Sequence, residues 1–466
     1  GADKEGILKI LEADSRPEVL YALSDIRRNL MDWMDFSGQE HVLQLGSDYG
    51  VITGLLAERC ASVAVVDERD ENLVVNQKMN EAHTNISYMK AADFQKMEAV
   101  EKEGKYDLIV LRADRPDMDI KECFTRLSSY LSENGKLIFA CENALGLNFL
   151  SGAVHDEDET AFTKGELEEA LKEAGLSKVE FYYPMPEYKR AVSVYSDRYL
   201  PGKGDIPHVT AVYDRQRWAC IHEDEISDKL VQEKAFGLFS NAYLAVASKG
   251  AESFKTVFAK YNSTRKEEFQ IRTAILEENG KRYVEKTPLT EKAAGHISSM
   301  SEKYEKLSKV NPGVKVLAPV YSEDKKAVRF EFLKGRTLAE ILGEQIRGKK
   351  APVEALKAAI DQIFGQAVLK NEPFAPTDPF KEVFGDSEDV LSLQDTSYEV
   401  SNIDGLFENL METEDGLYCM DYEWVFDFPI PSGFVRYRNL VYFYYKYEGL
   451  MEYENATQFL KEFGMD

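Results

Sequence analysis

Three polar side chains near the end of the chain stand at spacings that suit phosphoryl transfer. Asp404 is followed five residues later by Asn409, and Asp421 comes after METEDGLYCM, a run with the pattern of a β-hairpin. Magnesium is a hard cation that prefers carboxylate and amide oxygens, and it must meet the phosphates of a nucleotide from one side. The stretch therefore predicts a site for metal-dependent phosphoryl transfer.

An acidic hairpin with a solvated turn at METEDG is the alternative for this stretch. Asp421, however, follows the apolar run LYCM and precedes YEWVFDFPIP, so the pattern places it at the end of a buried strand. Carboxylates are seldom buried unless they are paired. These surroundings favour the phosphotransferase interpretation.

A second candidate site lies at the front of the chain, in VLQLGSDYGVITGLLAER at residues 42 to 59. The pattern is a strand, a glycine-containing turn and a helix, and Asp67 ends the next strand. Such a turn lets backbone N–H groups and a helix N-terminus approach a ligand, and the second acid can bind ribose hydroxyls. The missing third glycine and the acid at Asp48 disfavour a pyrophosphate, so a sulfonium cofactor suits the turn better.

The elements that position these two sites follow different patterns. Up to about residue 250, apolar strands alternate with helical segments, which is typical of a parallel sheet covered on both faces, the doubly wound α/β arrangement. Beyond it, alternating runs joined by turn residues predict an antiparallel meander, a helix over 290 to 309, another hairpin and a mainly helical remainder. We therefore predict two domains, 1–250 and 251–466. The first strands are predicted at VLQL (42 to 45), SVAVVD (62 to 67), ISYMKAA (86 to 92), YDLIVLR (106 to 112) and GKLIFAC (135 to 141).

The composition and the net charge of the chain limit the classes of partner that it can be expected to bind. The formal net charge is −25, from 57 basic and 82 acidic residues, which argues against a nucleic-acid or anionic-membrane binder because such partners are held by Lys and Arg. We expect no membrane insertion, since no apolar stretch reaches about 18 residues. The five cysteines are scattered, so we expect reduced thiols in a cytoplasmic protein.

The front domain resembles the class I S-adenosylmethionine-dependent methyltransferases. Their first motif, acid-x-Gly-x-Gly-x-Gly, aligns with Gln44, Gly46, Asp48 and Gly50, so Gln44 replaces the family's acid and Asp48 its middle glycine. The resemblance implies a Rossmann-like class I methyltransferase domain. We hypothesise that Asp48 supplies from a neighbouring position the charge that Gln44 lacks. A methyltransferase fold that binds the cofactor poorly or not at all stays open as the alternative.

The same resemblance implies roles for residues beyond the turn. Asp67 would hold the ribose, and Asp93 and Phe94 would border the adenine of S-adenosylmethionine. Residues 143 to 201 are similar to methyltransferases of bacterial cell-surface glycan synthesis, which share the Tyr-Tyr-Pro-x-Pro and Tyr-Ser-Asp-x-Tyr-Leu-Pro runs. S-adenosylmethionine is thus the cofactor implied for this domain, unless the altered motif has lost it.

The rear domain resembles protein-kinase-like and aminoglycoside-phosphotransferase-like folds, which implies a bilobal α+β domain. By this resemblance Asp404 accepts the hydroxyl proton, and Asn409 and Asp421 bind magnesium. Lys286, in YVEK, would hold the α and β phosphates of ATP, with Glu305 on the following helix as its ion-pair partner. ATP with magnesium is therefore the implied cofactor.

A third part of the kinase-like pattern is RFEFLKGRTLAEIL at residues 329 to 342, which resembles the strand, hinge and helix that carry the adenine. Backbone groups from Glu331 to Leu333 would contact the base, and Gly335 would make the turn. Two features depart from the pattern: KYNSTRKEEF replaces the glycine-rich loop, and no histidine precedes Asp404 in the usual manner. The lost glycines imply either a different phosphate cover or weak nucleotide binding.

Together the two halves resemble the bacterial bifunctional methyltransferase-kinases that cap O-antigen polysaccharides. The resemblance implies phosphorylation of a sugar hydroxyl and methyl transfer to the glycan or its phosphate. The expected partners are a glycan or a small sugar acceptor, together with glycan-assembly proteins or further copies of the chain as a homo-oligomer. Two alternatives stay open: a methyltransferase with a degenerate kinase module, and a non-catalytic scaffold in glycan assembly.

Overall fold

The structure is a computed structural model that divides into two compact units. One comprises Gly1–Thr264 and Arg272–Lys281, and the other comprises Arg265–Ile271 and Arg282–Asp466. The domain boundary near residue 250 stays a prediction. The residues described are 4–14, 16–93, 105–113, 118–154, 160–206, 221, 223–322, 327–370, 372–385 and 395–465.

The first unit is built on a sheet whose central strands are parallel. Strand β1 lies between β2 and β4, β3 continues the sheet beyond β2, and β5 continues it beyond β4. On the far side of β5 the strands turn antiparallel, in the order β8, β6, β7, β9 and β10. The strands are β1 His41–Leu45, β2 Ser62–Asp67, β3 Ile86–Lys90, β4 Tyr106–Arg112, β5 Leu131–Glu142, β6 Lys178–Met185, β7 Ser193–Ser196, β8 Ala242–Ser248, β9 Thr256–Tyr261 and β10 Ile271–Glu278.

Helices cover both faces of this sheet. Consecutive residues from Val42 to Gln44 in β1 and from Leu108 to Leu111 in β4 are buried, and neighbouring residues of a strand point to opposite faces. Both faces are therefore covered, and the predicted doubly wound α/β arrangement is confirmed. The helices are α1 Lys4–Ala13, α2 Pro17–Leu23, α3 Val51–Arg59, α4 Asp70–Met79, α5 Ile120–Ser128, α6 Leu147–Leu150, α7 Lys164–Glu173, α8 Glu223–Gln232 and α9 Phe236–Phe239.

The second unit combines helices with short, mostly antiparallel strands, as expected of an α+β domain. Strand β14 pairs with β11 on one side and with β13 on the other, β17 and β18 form the predicted hairpin, and β16 pairs with β19. The strands are β11 Lys281–Pro288, β12 Lys315–Val316, β13 Val320–Ser322, β14 Ala327–Glu331, β15 Arg336–Thr337, β16 Ser401–Asn402, β17 Leu410–Thr413, β18 Gly416–Cys419 and β19 Val425–Phe426. The helices are α10 Ala294–Ser298, α11 Met300–Val310, α12 Leu338–Gly343, α13 Val353–Phe364, α14 Asp378–Phe384, α15 Ser432–Tyr447 and α16 Ala456–Lys461.

One prediction for this unit is corrected and another is confirmed. The single helix expected over 290 to 309 is two helices, α10 and α11, which meet at Ser299. The hydroxyls of Ser298 and Ser299 donate to backbone carbonyls three residues earlier, and such contacts compete with regular helix geometry. The hairpin predicted within residues 314 to 333 is confirmed, because β13 and β14 pair antiparallel. Strand β12, at the start of that run, pairs in parallel with β18.

The length and the hydropathy of each helix determine whether it could cross a membrane. Among the described residues, none of the helices is both long enough and apolar enough to cross a bilayer.

Candidate functional site

The structure brings together residues of the second unit that are far apart in the sequence. Lys286 is buried on β11, and its Nζ lies 2.9 Å from Oδ1 of Asp421, which follows β18 by two residues. Asp404 lies in the segment between β16 and the single turn of 3₁₀ helix at Phe407–Asn409. The amide Nδ2 of Asn409 donates to the backbone carbonyl of Asp404 at 2.8 Å. The four predicted site residues therefore meet in one cluster.

Asn402, which the sequence interpretation missed, connects the two loops that carry the acids. Its Oδ1 accepts from the backbone N–H of Asp404 at 3.1 Å, and its Nδ2 donates to the backbone carbonyl of Asp421 at 3.1 Å. An asparagine that binds the backbone two residues ahead is a known turn signal, so its position in NIDG could have revealed it.

Glu423 is a second residue that the sequence interpretation missed. Its carboxylate is buried and accepts from Lys286 Nζ at 2.6 Å and from the guanidinium of Arg265. Burial alone would raise its pKa, but Lys286, His296 and Arg265 hold the pKa of Glu423 well below the usual range. Side chains two residues apart share a face of an extended chain, so its spacing from Asp421 was the available signal.

The ion pair predicted between Lys286 and Glu305 is corrected. Lys286 pairs with Asp421 and Glu423, whereas Glu305 is exposed. The reason is helical phase: the buried positions of α11 are Met300, Leu307 and Val310, and residue 303 lies on that face while residue 305 does not.

Lys303 is the residue that α11 presents to the cluster in place of Glu305. Its Nζ donates to the backbone carbonyl of Glu423 at 2.5 Å. Burial and the nearby charge of Lys286 lower the pKa of Lys303 to about 8, against the opposing carboxylates of Glu423 and Asp421. A lysine with so low a pKa is partly neutral near physiological pH.

The carboxyl of Asp404 is a predicted catalytic group whose pKa is raised. Burial and the negative charges of Asp421 and Glu423 raise its pKa to about 6, although Arg438 and Lys286 oppose the change. The Arg438 guanidinium lies 3.6 Å from Oδ1 of Asp404, too far for a close ion pair. Asp404 is therefore a carboxylate that gains from binding a proton or a cation.

The donor set of this cluster fits a magnesium ion in its chemistry. Asp404 and Asp421 supply carboxylate oxygens, and Asn409 carries an amide oxygen. Burial and the repulsion from Asp421 and Glu423 together raise the pKa of Asp404, and a divalent cation would relieve the repulsion. Across the described residues, however, no three His, Cys, Asp or Glu side chains are grouped so that they could hold a metal.

The predicted hinge is built around a glycine that the fold requires. A Cβ atom at Gly335 would lie 2.2 Å from the backbone oxygen of Glu412 on β17, so no larger residue fits. Glu331 ends β14 and is exposed, and Leu333 is half-buried two residues later. Contact of this segment with adenine stays a prediction.

In the first unit, the turn after β1 keeps the backbone of a nucleotide-binding turn. Gly46, Asp48 and Gly50 all adopt positive φ angles, of 76°, 45° and 100°, and α3 begins directly afterwards. Gln44, on β1, is buried, and its Oε1 accepts from the hydroxyl of Thr53 on α3 at 2.8 Å. This hydrogen bond connects the strand before the turn to the helix after it. Aspartate is one of the few residues other than glycine that adopt positive φ at modest cost, and a hydrogen-bond partner for its side chain helps to hold it there.

Asp48 has that partner in a cluster of positive charges. Its carboxylate accepts from Arg27 and, at 2.8 Å, from Arg112, and the Tyr21 hydroxyl lies 3.2 Å away. Burial would raise its pKa, but Arg112 and Arg27 outweigh burial and lower the pKa of Asp48 to about 2. The charge of Asp48 is thus shared with two arginines, and the hypothesis that it replaces the lost acid for a sulfonium stays a prediction.

Asp67 is buried at the end of β2, as predicted for a ribose ligand. Its carboxylate already accepts from the backbone N–H of Ser47 at 2.7 Å, the hydroxyl of Ser47 at 2.8 Å and the backbone N–H of Arg69 at 2.9 Å. Asp93 is exposed. Phe94 lies outside the described residues. Their roles beside a cofactor stay predictions.

The cavity beside this turn is small. It has about 20 Å³ of free volume and is bounded by Arg27, Gln44, Gly46, Asp48 and Arg112 together with apolar side chains. Such a volume holds about one water molecule. The turn thus fits a cofactor's backbone contacts, and a positively charged sulfonium placed in this cavity would meet its two arginines.

Comparison with known proteins gives structural neighbours only. No family model and no curated protein matches the chain. A SAM-dependent methyltransferase from Archaeoglobus fulgidus is 14% identical, with 53% of this chain and 99% of that chain covered and a TM-score of 0.32. An S-adenosylmethionine-dependent methyltransferase from Mesorhizobium loti is 14% identical, with coverages of 48% and 97% and a TM-score of 0.30.

A third neighbour is phosphoethanolamine N-methyltransferase 1 of Haemonchus contortus, solved with phosphoethanolamine and S-adenosylhomocysteine. It is 12% identical, with 55% of this chain and 50% of that chain covered and a TM-score of 0.32. These structures are methyltransferases of the kind that the front domain resembles. Likeness at such low identities and TM-scores does not decide the chemistry of this chain, and it leaves the kinase-like fold a prediction.

Proposed function

We propose that the second unit transfers a phosphoryl group from ATP, with magnesium, to a hydroxyl group. The observation that carries this proposal is the convergence of Lys286, Asp404 and Asp421, which come from three separate segments. A lysine, a base and a metal-binding acid are the groups that phosphoryl transfer needs in one place.

The properties of each group suit its proposed part. With a pKa raised to about 6, Asp404 is mostly ionised at pH 7 and is more basic than an ordinary aspartate, so it can accept a hydroxyl proton. Lys286 would hold the phosphates. Asp421 and Asn409 would hold magnesium, which when bound neutralises the charge of the transferred group.

A sugar hydroxyl, on a glycan or a small molecule, is the acceptor that we propose from the resemblance to O-antigen capping enzymes. The net charge of −25 favours a neutral acceptor over a strongly anionic one. The first unit would methylate the glycan or its phosphate. The chain would act together with glycan-assembly proteins or as a homo-oligomer.

Thermal unfolding with ATP and magnesium tests the proposal. We expect the pair to raise the melting temperature of the wild type and to leave that of Asp421→Asn unchanged. Asp415→Asn is the matched control, because Asp415 is an exposed acid in the turn of the same hairpin. A shift that survives Asp421→Asn would refute the metal assignment, and no shift in the wild type would refute nucleotide binding.

Methyl transfer by the first unit is the second candidate function. The positive φ angles of the turn at Gly46, Asp48 and Gly50 favour it, as does buried Asp67 beside the turn. Isothermal titration with S-adenosylmethionine tests it, and the absence of heat at millimolar ligand would exclude it. A chain that binds neither S-adenosylmethionine nor ATP would be a scaffold, identified by capture of a glycan-assembly partner.

A further inference from the structure

Arg265 stands in the segment that replaces the glycine-rich loop. This segment, KYNSTRKEEF, joins β9 to β10 and lacks glycine. The Arg265 guanidinium reaches the carboxylate of Glu423 and lies 5.8 Å from the centre of the Trp424 ring. Its side chain is 30% exposed, whereas that of Lys286 is 7% exposed. Arg265 is therefore a cation of the cluster that solvent and solutes can reach.

The carboxylate of Glu423 holds two cations that come from different segments. Lys286 Nζ donates to Oε1 at 2.6 Å, and Arg265 donates to Oε2. The ammonium and the guanidinium therefore lie close together, because both contact the same buried carboxylate. An anion that displaced this carboxylate would meet both cations. A guanidinium binds phosphate oxygens through paired N–H groups, and an ammonium binds them as a point charge.

The backbone of the segment is fixed, so only a side chain has to move. Gln270 Nε2 donates to the backbone carbonyl of Arg265 at 2.8 Å, and the Thr290 hydroxyl donates to that of Glu267 at 2.8 Å. Lys292 adds an ion pair to the Glu267 carboxylate at 2.7 Å. Rotation of the Arg265 side chain can therefore exchange partners without remodelling the loop.

We infer that Arg265 is the phosphate cover of this site, in place of the missing glycines. Arg265 and Lys286 bind the polyphosphate of a nucleotide, and Glu423 holds the two cations while the ligand is absent. This inference rests on the proposed phosphotransferase function, and it answers how a loop without glycines can bind phosphates. It assigns to a side chain the contact that a glycine-rich loop makes with backbone N–H groups.

Polyphosphate titration of matched variants tests the inference in the full chain. Inorganic tripolyphosphate and ATP are titrated into the wild type, Arg265→Ala, Arg265→Lys and the control Lys309→Ala, which removes an exposed lysine from the last turn of α11. We expect Arg265→Ala to raise Kd for both ligands at least tenfold, Arg265→Lys to raise it less, and Lys309→Ala to leave it unchanged. Tryptophan emission should change on tripolyphosphate binding in the wild type and not in Arg265→Ala, because Arg265 leaves Trp424 when it binds.

The outcomes separate this inference from the proposed function. If Arg265→Ala binds ATP and tripolyphosphate as the wild type does, the phosphate cover is refuted while phosphoryl transfer stands. If the wild type binds tripolyphosphate through Arg265 but transfers no phosphate from ATP to a sugar hydroxyl, the cover stands and the proposed function fails. A wild type that binds neither ligand refutes both. Circular dichroism confirms that each variant is folded.

Discussion

The charge clusters of the two units differ in how their charges are balanced. In the first unit one carboxylate, that of Asp48, lies between the guanidinium groups of Arg27 and Arg112. In the second unit the carboxylates differ in their distance from neighbouring cations. Lys286 Nζ lies 2.6 Å from Glu423 and 2.9 Å from Asp421, whereas the Arg438 guanidinium lies 3.6 Å from Asp404. The result is a pKa lowered to about 2 for Asp48 and raised to about 6 for Asp404.

This difference is the one expected between a cluster that stabilises the fold and a cluster that takes part in chemistry. Asp48 is held in its charged form, so it contributes to the folded state and has little tendency to exchange protons. Asp404 is held in a charged form that its neighbours disfavour, which costs stability and prepares it to bind a proton or a cation. Residues that lower the stability of a fold in this way are typical of functional sites.

The largest expected effect follows from removing the base. Asp404→Asn keeps the shape of the side chain but cannot accept a proton, so we expect phosphoryl transfer from ATP to fall by about 10² to 10⁴-fold. The control is Asp48→Asn, which removes the carboxylate of the other cluster and should leave the rate per folded molecule unchanged. Radiolabelled phosphate transfer to a sugar measures both, and a fully active Asp404→Asn would contradict the assigned role.

The next largest effect is on stability and concerns Asp48. Asp48→Asn leaves the guanidinium groups of Arg27 and Arg112 buried without their counterion, so we expect the free energy of unfolding to fall by about 3 kcal/mol at pH 7. Urea unfolding followed by circular dichroism measures the change. An unaltered free energy of unfolding would mean that the cluster is not a stabilising one.

The difference in the free energy of unfolding between the wild type and Asp48→Asn should depend on pH. The ordinary pKa of the aspartate is 3.8, and in the folded protein that of Asp48 is about 2. A pKa that is lower in the folded state adds stability above pH 3.8, and this stability is lost as pH falls through 2. The contribution is about 2 kcal/mol. The difference between wild type and Asp48→Asn should therefore shrink between pH 5 and pH 2, and a constant difference would contradict this account.

Asp404→Asn should have the opposite effect on stability. Its pKa is about 6 in the folded protein and 3.8 ordinarily, so the folded state loses stability as pH rises from 3.8 through 6. The raised pKa already includes the attraction to Arg438, so we expect the variant to be about 2 to 3 kcal/mol more stable at pH 7. At pH 4 the two proteins should be nearly equal. Lower stability at pH 7 would show that Asp404 is not strained.

Sequence patterns predicted the main strands of the fold because buried strands are built from runs of apolar residues. Continuous apolar runs gave β1, β2 and β4 within a residue or so, and the turn residues of METEDG gave the hairpin of β17 and β18. The positions of Lys286, Asp404 and Asp421 followed from spacing within one short motif each. Their convergence is a property of the folded chain.

The partners of these residues were harder to predict because they depend on side-chain direction. The residue order does not show that Glu423 and Arg265 face one another. The phase of α11 decides that residue 303 rather than residue 305 faces the cluster. In the first unit, Arg27 reaches Asp48 from a segment before β1, a contact over 21 residues that no local pattern encodes. Long-range ion pairs therefore account for most of what the sequence left out.

The smallest expected effect tests the corrected partner of Lys286. Glu305→Gln changes an exposed side chain, so we expect the free energy of unfolding to stay within about 0.5 kcal/mol of the wild type and Kd for ATP to stay within about twofold. Lys286→Met in the same titration should abolish ATP binding, which shows that the assay responds to the cluster. A tenfold weaker affinity in Glu305→Gln would mean that α11 turns residue 305 toward Lys286 when the nucleotide binds. In that case the ion pair with Glu423 would belong to the nucleotide-free state alone, and the second cluster would be a switch between two carboxylate partners of one lysine.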